Sequence, residues 1–234
     1  MADLDHVARL LAAALEEVGA GARPGPERLC RACSLLLPVD GAAICLVGDT
    51  GRREMLCGGD ALSTRLEDLQ FMLGEGPCVD AFSSGTPVVA ADLAACGDRW
   101  PAFAPEAVEL GAGAVYALPL TIGAIRIGVL DLYRRTPAEP TGEQSGRLLD
   151  LAGVIGAPLL AELSFTDDPE SGPHPLDQAV GCPEIHQATG MILVQLGVTA
   201  EEALTRLRAH AFAHGRSTRE VARDVVARRL RFTE

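Results

Sequence analysis

Apolar positions recur with a helical period at both ends of the chain and with a shorter, strand-like rhythm between them. Val7, Leu10, Leu11, Ala14, Leu15 and Val18 form one helical stripe over residues 5–18. Gly and Pro between 21 and 26 interrupt it, and a second helix is predicted over 27–36. The period then changes. Residues 42–47 are a short apolar run, Gly48-Asp49-Thr50-Gly51 is a turn signal, and the chain returns through 53–57, which predicts a β-hairpin. Residues 64–73 read as helix. Gly74-Glu75-Gly76 breaks it, and Pro77 stands at a favoured first helical position. A strand is expected at 86–90 and a helix over 101–110. Two apolar runs, 114–120 and 125–133, flank Thr121 to Ala124 as a second hairpin. Leu148, Leu151, Ile155, Leu159 and Leu163 mark one face of a long helix over 141–163, which Pro158 is predicted to kink or split. Strands mixed with flanking helices predict an α+β domain built on an antiparallel sheet.

Residues 164–182 hold Pro169, Gly172, Pro173, Pro175 and four acids, the composition of a linker. Periodicity resumes at Pro183. Ile185, Ala188, Ile192 and Leu196 form one stripe. Ala203, Leu204, Leu207 and Ala211 form a second, and Val221, Ala222, Val225, Val226 and Leu230 a third. Thr199 to Glu202 and Ser217 to Glu220 both read as capping boxes, and Gly197 and Gly215 read as helix stops. Three short helices with short connectors predict a small bundle. The expected organisation is an N-terminal helix within 1–23, an α+β domain over 24–163, a linker over 164–182 and a helical domain over 183–234.

Composition sharpens this picture. A 48% apolar chain excludes global disorder, and with 4% aromatics its core must be aliphatic. All 20 cationic side chains are Arg, since Lys is absent. The net charge of −12, taken whole, argues against a nucleic-acid binder. The charge is uneven, however: residues 183–234 carry eight Arg against six acids, about +2, which leaves about −14 for 1–182. The acidic N-terminus has no signal-peptide pattern, and the uncharged stretches 110–125 and 185–200 are short and broken by Gly. A cytoplasmic protein without membrane contact is expected. Seven irregularly spaced Cys suit reduced thiols better than a disulfide framework. Cys30 and Cys33 form a CxxC, but with no second CxxC they read as small core residues and no metal site is expected.

The runs Gln187-Ala188-Thr189-Gly190-Met191-Ile192-Leu193 and Gly197 to Leu204, with Leu207-Arg208, Ala211 and Val221-Ala222, resemble the ANTAR family. The resemblance implies a three-helix RNA-binding domain that recognises paired hairpins in nascent messenger RNA and prevents terminator formation. Thr189 stands where the family usually has Lys, and if that Lys meets phosphate the resemblance implies one ionic contact fewer and a shallower salt dependence here. The segments 73–78, Asp92-Leu93, Arg99-Trp100-Pro101, 117–120 and 127–133 resemble GAF domains. Fold class is therefore α+β: a GAF-like antiparallel sheet flanked by helices, followed by a three-helix ANTAR bundle.

RNA recognition needs cations and polar groups beside a surface that allows close approach. Candidates are Gln187, Thr189 and Gly190 on the first helix, Arg206, Arg208 and His214 on the second, and Arg216, Arg219 and Arg223 at i, i+3 and i+7 on one face of the third. Helix packing is the favoured reason for Gly190 itself. Cys78, Tyr116 and Asp131 are candidate lining for a GAF pocket that takes a small molecule. No cofactor is expected. Histidine-ligated haem and His-dependent catalysis are excluded from the sensor, because no His lies between His6 and His174. A Walker phosphate loop is excluded by the lack of Lys. The expected protein is an antitermination regulator, not an enzyme. It is expected to act as a homodimer in which the 5–18 and 141–163 helices form an exposed apolar bundle. The alternatives are a helix-turn-helix-like DNA-binding regulator and a GAF-based thiol reductase.

Overall fold

The computed structural model describes residues 4–19, 26–47, 53–122, 125–159 and 183–233. The predicted linker at 164–182 and the turn at 48–51 lie outside the described residues.

Helices α1 (Leu4–Gly19) and α2 (Pro26–Leu36) precede strand β1 (Gly41–Val47), which pairs with β2 (Arg53–Gly58) as the first predicted hairpin. Helix α3 (Ala61–Leu73) begins three residues earlier than its apolar run suggests. Asp60 caps it by accepting from the amides of Leu62 and Ser63. Helix α4 (Pro77–Ser84) starts at the expected proline. After β3 (Val88–Ala90) and a 3-10 turn at Leu93–Ala95 comes α5 (Phe103–Glu109). Strands β4 (Ala114–Ile122) and β5 (Ile125–Arg134) form the second hairpin, paired as far as Ile122 opposite Ile125, so β4 runs two residues further than expected.

The sheet order is β2-β1-β5-β4-β3, with every pairing antiparallel. Both faces are covered. Ala42, Ile44, Leu118, Leu130 and Leu132 pack under α1, α2 and α6 (Gly142–Val154), whereas Cys45, Val115, Ala117, Val129 and Tyr133 pack under α3, α4 and α5. That is why β1 is buried at every position and reads as an unbroken apolar run. Gly128 lets β5 approach β1, since a Cβ there would collide with the Cys45 carbonyl. Pro119 sits beyond the end of β3, where β4 has only one hydrogen-bonded neighbour and a missing amide is tolerated.

The long helix expected at 141–163 is split. α6 ends at Val154, Ile155 breaks the helix, and helical backbone resumes over 156–159. Pro158 explains the break: it has no amide for the Val154 carbonyl, and its ring crowds that carbonyl. The expected exposed apolar bundle is also corrected. Val7, Leu11 and Ala14 of α1 and Leu148 and Leu151 of α6 are buried in one core with the sheet, so most of both stripes is used within the chain. Leu4, Leu10 and Leu149 are what remains exposed.

Thiol chemistry is corrected as well. Cys30 and Cys57 are joined as a disulfide that ties α2 to β2. Cys33, the other half of the CxxC, is a buried thiol whose pKa burial pushes up to about 12, which makes it inert.

The C-terminal bundle consists of α7 (Pro183–Leu196), α8 (Ala200–Ala213) and α9 (Thr218–Val226). Its core is Ile185, Ala188, Ile192, Ala203, Leu207, Ala211, Val221, Ala222 and Val225, from the three predicted stripes. Gly197 and Gly215 end helices in the left-handed region, at φ 66° and 61°. Ser217 and Glu220 form the predicted reciprocal cap. The other box is half formed: Thr199 accepts from the Glu202 amide, but the Glu202 carboxylate turns instead to Arg206, 3.0 Å away.

Candidate functional site

Helix α7 presents Gln187 and Gly190 to solvent, with Val194 78% exposed one turn further on, along one face at i, i+3 and i+7. A Cβ built on Gly190 would meet nothing within 4 Å, so packing, the expected reason for this glycine, is overturned. A mid-helix glycine costs about 1 kcal/mol relative to Ala, and no helix among the described residues approaches closely enough to offset it. Thr189 points the other way. It is buried, and its hydroxyl donates to the Ile185 carbonyl at 2.7 Å.

The arginines do not make one open cationic face. Arg216 pairs with Asp224 at 2.7 Å, and Arg229 joins the same carboxylate at 2.6 Å. These two guanidinium groups hold the Asp224 carboxyl below its usual range. Arg223 reaches Glu184 of α7 at 3.5 Å. Arg206 is exposed and paired within its own helix. His214 donates from Nδ1–H to the His210 carbonyl at 2.8 Å, with the two rings stacked at 4.1 Å. Exposed ion pairs of this kind are worth at most about 1 kcal/mol each, so a phosphate can displace them.

Two further candidates face the sheet domain. The Arg208 guanidinium lies 4.3 Å from the centre of the Phe71 ring on α3. Arg219 neighbours Asp68, also on α3, and pulls down a carboxyl that burial raises. Phe71 and Met72 pack against the C-terminal core. The outer side of α3 is thus the docking surface of the helical bundle.

The inner side of α3 carries Ser63, Glu67 and Gln70, exposed by 2%, 4% and 2%, at i, i+4 and i+7. They line a cleft against the sheet with Asp131 and Tyr133. Gln70 organises it: its Nε2 donates to the Glu67 carboxylate at 2.8 Å, and its Oε1 accepts from the Cys78 amide at 2.7 Å. Ligand-type atoms of Cys45, Glu67 and Cys78 lie within 4.8 Å of one another. Burial drives the Glu67 carboxyl well above the usual range, and the neighbouring Asp131 carboxyl adds to this. Burial also pushes Asp131 up to about 6, and the nearby Glu67 and Cys78 side chains oppose the rise. The Cys78 thiol is raised by its hydrogen bond with Cys45 and by burial.

Of the three candidate pocket residues, Asp131 lines this cleft, Cys78 lies beside it against Glu67 and Gln70, and Tyr116 is elsewhere. Alternation along β4 sends Tyr116 to the opposite face of the sheet, where its hydroxyl donates to the Ala138 carbonyl at 2.8 Å. Sequence reasoning missed Glu67, Gln70 and Cys45. The available signal was the polar stripe Ser63, Glu67, Gln70 on a helix whose Leu62, Leu66 and Leu69 are also buried.

Among solved structures, the chain is similar to the GAF domain of a phosphoenolpyruvate-protein phosphotransferase from Coxiella burnetii. That match has 18% identity and a TM-score of 0.47, and covers 73% of this chain and 99% of that one. It is also similar to a domain of a two-component sensor histidine kinase protein from Sinorhizobium meliloti, at 20% identity and a TM-score of 0.44, over 58% of this chain and 91% of that one. A type II free methionine-R-sulfoxide reductase from Thermoplasma acidophilum aligns at 18% identity and a TM-score of 0.45, over 65% and 95%. No curated protein matches the chain. No helix among the described residues is long and apolar enough to cross a membrane. Family models match residues 27–159 as a GAF domain and 178–226 as an ANTAR domain. With more than half its length matched by the first of these, the chain belongs to the GAF domain family, and it carries an ANTAR domain after the sensory one.

Proposed function

We propose that this chain is a transcription antitermination regulator whose ANTAR domain, residues 183–234, binds hairpins in nascent messenger RNA under control of its GAF domain, residues 24–163. The observation that carries this reading is the open face of α7. A glycine kept in mid-helix, with empty space above it and Gln187 beside it, gives the backbone a surface that a nucleotide can approach closely. Arg206, Arg216, Arg223 and His214 surround this bundle with cationic or titratable groups held by exchangeable surface contacts. Thr189 supports α7 from inside.

Regulation follows from the two sides of α3. Docking on Phe71 and Asp68 engages Arg208 and Arg219, so the docked ANTAR domain lacks two of its cations for phosphate. A ligand that widens the narrow cleft would press on the opposite side of the same helix and shift the population between docked and released states. The homodimer is retained in reduced form, on the exposed Leu4, Leu10 and Leu149 of α1 and α6. The reductase alternative is disfavoured by physics: Cys45 and Cys78 are buried, and Cys78 is held in its unreactive thiol form.

Fluorescence anisotropy of the full chain with a labelled stem-loop RNA, a matched duplex DNA and a salt series tests the reading. RNA is expected to bind tighter than DNA. Arg216→Ala with Arg223→Ala should lower the salt slope by about one per lost phosphate contact. Gly190→Leu should weaken RNA binding at least tenfold without lowering thermal stability. Equal affinity for duplex DNA, or an unaffected Gly190→Leu variant, would overturn it.

A further inference from the structure

Two carboxyls that line the cleft beneath α3 and two buried thiols beside it come together from four different elements: Cys45 from β1, Glu67 from α3, Cys78 from α4 and Asp131 from β5. We propose that these four side chains form a tetrahedral binding site for one divalent transition-metal ion, with zinc the best match to the donor set. Its regulatory consequence rests on the sensory reading of the GAF domain, whereas the binding itself does not.

Three observations carry it. First, donor atoms of Cys45, Glu67 and Cys78 already lie within 4.8 Å of one another. The edges of a zinc tetrahedron with sulfur and oxygen ligands are about 3.3–3.8 Å, so bringing these three donors onto one ion needs side-chain adjustments of about 1 Å, with Asp131 as the fourth ligand from β5. Second, Asp131 is 5% exposed, and neither of its carboxylate oxygens has a hydrogen-bond partner among the described residues. An orphaned acid in a core is costly unless something cationic meets it. The same position filled by an apolar residue would cost nothing of the kind. Third, the ligands have a supporting shell. Gln70 holds the Glu67 carboxylate through one end of its amide and the Cys78 backbone through the other. The donors' softness selects the ion. Two thiolates disfavour magnesium and calcium, which take oxygen ligands, and with two carboxylates they suit zinc or a similar borderline ion. On binding, the two thiols and the protonated carboxyl release their protons to solvent, and the metal forms bonds to sulfur and oxygen without any change of oxidation state.

The position of the site ties it to the ANTAR domain. Glu67 and Gln70 face the cleft while Asp68 and Phe71, on the same helix, face α8 and α9. Drawing Glu67 toward a metal moves the helix on which the ANTAR domain rests.

The test uses the full chain, stripped of metal, with its free thiols kept reduced and Co2+ as the probe before displacement by Zn2+. Expected is one Co2+ per chain, with near-ultraviolet sulfur-to-cobalt charge transfer and intense visible bands of a tetrahedral ion, both erased by Zn2+. Cys45→Ser and Cys78→Ser should each remove about half of the charge transfer, whereas Cys96→Ser and Cys182→Ser leave it intact. If the thiol variants fail to fold, Glu67→Gln and Asp131→Asn decide. Both should fold and keep the charge transfer, but weaken the metal at least tenfold. Absence of tetrahedral bands overturns the proposal. So does a signal carried by Cys96 or Cys182, or unchanged affinity in both carboxamide variants. Anisotropy with RNA, with and without Zn2+, is read separately. Metal binding with no effect on RNA would leave the site standing and remove its sensory role.

Discussion

Asp131 and Gly190 are single residues placed against their own stability. Asp131 titrates near 6 in the folded chain rather than at its ordinary 3.8, because burial disfavours the charge. A carboxyl raised on folding contributes stability below its ordinary value and loses it as pH rises to the folded one. The metal-free protein should therefore become less stable between about pH 4 and 6 and stay so above. Asp131→Asn should raise its melting temperature at pH 7, by a stability gain of about 1–3 kcal/mol, and flatten that acid limb. Calorimetry at pH 4, 6 and 7.5 measures it, and a variant no more stable than the parent at pH 7.5 would contradict the account. Gly190→Ala should likewise stabilise the bundle by about 0.5–1 kcal/mol, since the new methyl meets nothing. Both residues were legible as identities. That one lies orphaned and the other open was not, because a residue's neighbours come from distant elements.

At the scale of elements, caps and breaks behaved according to local chemistry, with one exception that has a physical cause. Ser217 and Glu220 close the box at the start of α9, while at the start of α8 Glu202 prefers Arg206 at i+4 to its own cap. Ser217→Ala should thus cost about 1 kcal/mol and remove part of the acid sensitivity of the bundle. The Glu220 carboxyl is held below its ordinary 4.5 by hydrogen bonds from Ser217. Its contribution is present above that value and fades as pH falls through the lower one. Thr199→Ala should cost less, because only half the box is lost. Urea melts of both variants at pH 3.5 and 7 compare them, and an equal cost at pH 7 would count against the difference. The split in α6 had its cause in plain view at Pro158, although the residue where the helix breaks, Ile155, depended on which carbonyl the ring crowds.

At the scale of the whole molecule, one helix faces two ways. Phe71 and Met72 join the C-terminal core while Glu67 and Gln70 line the cleft. Phe71→Ala removes the ring under Arg208, a contact worth about 0.5–2 kcal/mol. Release of the ANTAR domain should then raise RNA affinity two- to tenfold and speed hydrogen exchange along α8. Slower exchange or weaker RNA binding would show that docking assists recognition rather than restraining it. The stripes of α1 and α6 follow the same logic. Their apolar character is legible in the sequence, but the sheet of the same chain, and not a partner, covers most of it.

Periodicity, caps and motifs along the chain determined the element types, the α+β architecture, the C-terminal trio and the family of each part. These depend on interactions within a few residues, whose geometry a run of sequence specifies. Tertiary structure alone decided which acids share a cleft, which arginines are held by partners, that Tyr116 faces away from Cys78, and that Cys30 pairs with Cys57. Each of those facts joins residues from separate elements. Their proximity is set by how strands register and helices pack, which no local pattern encodes.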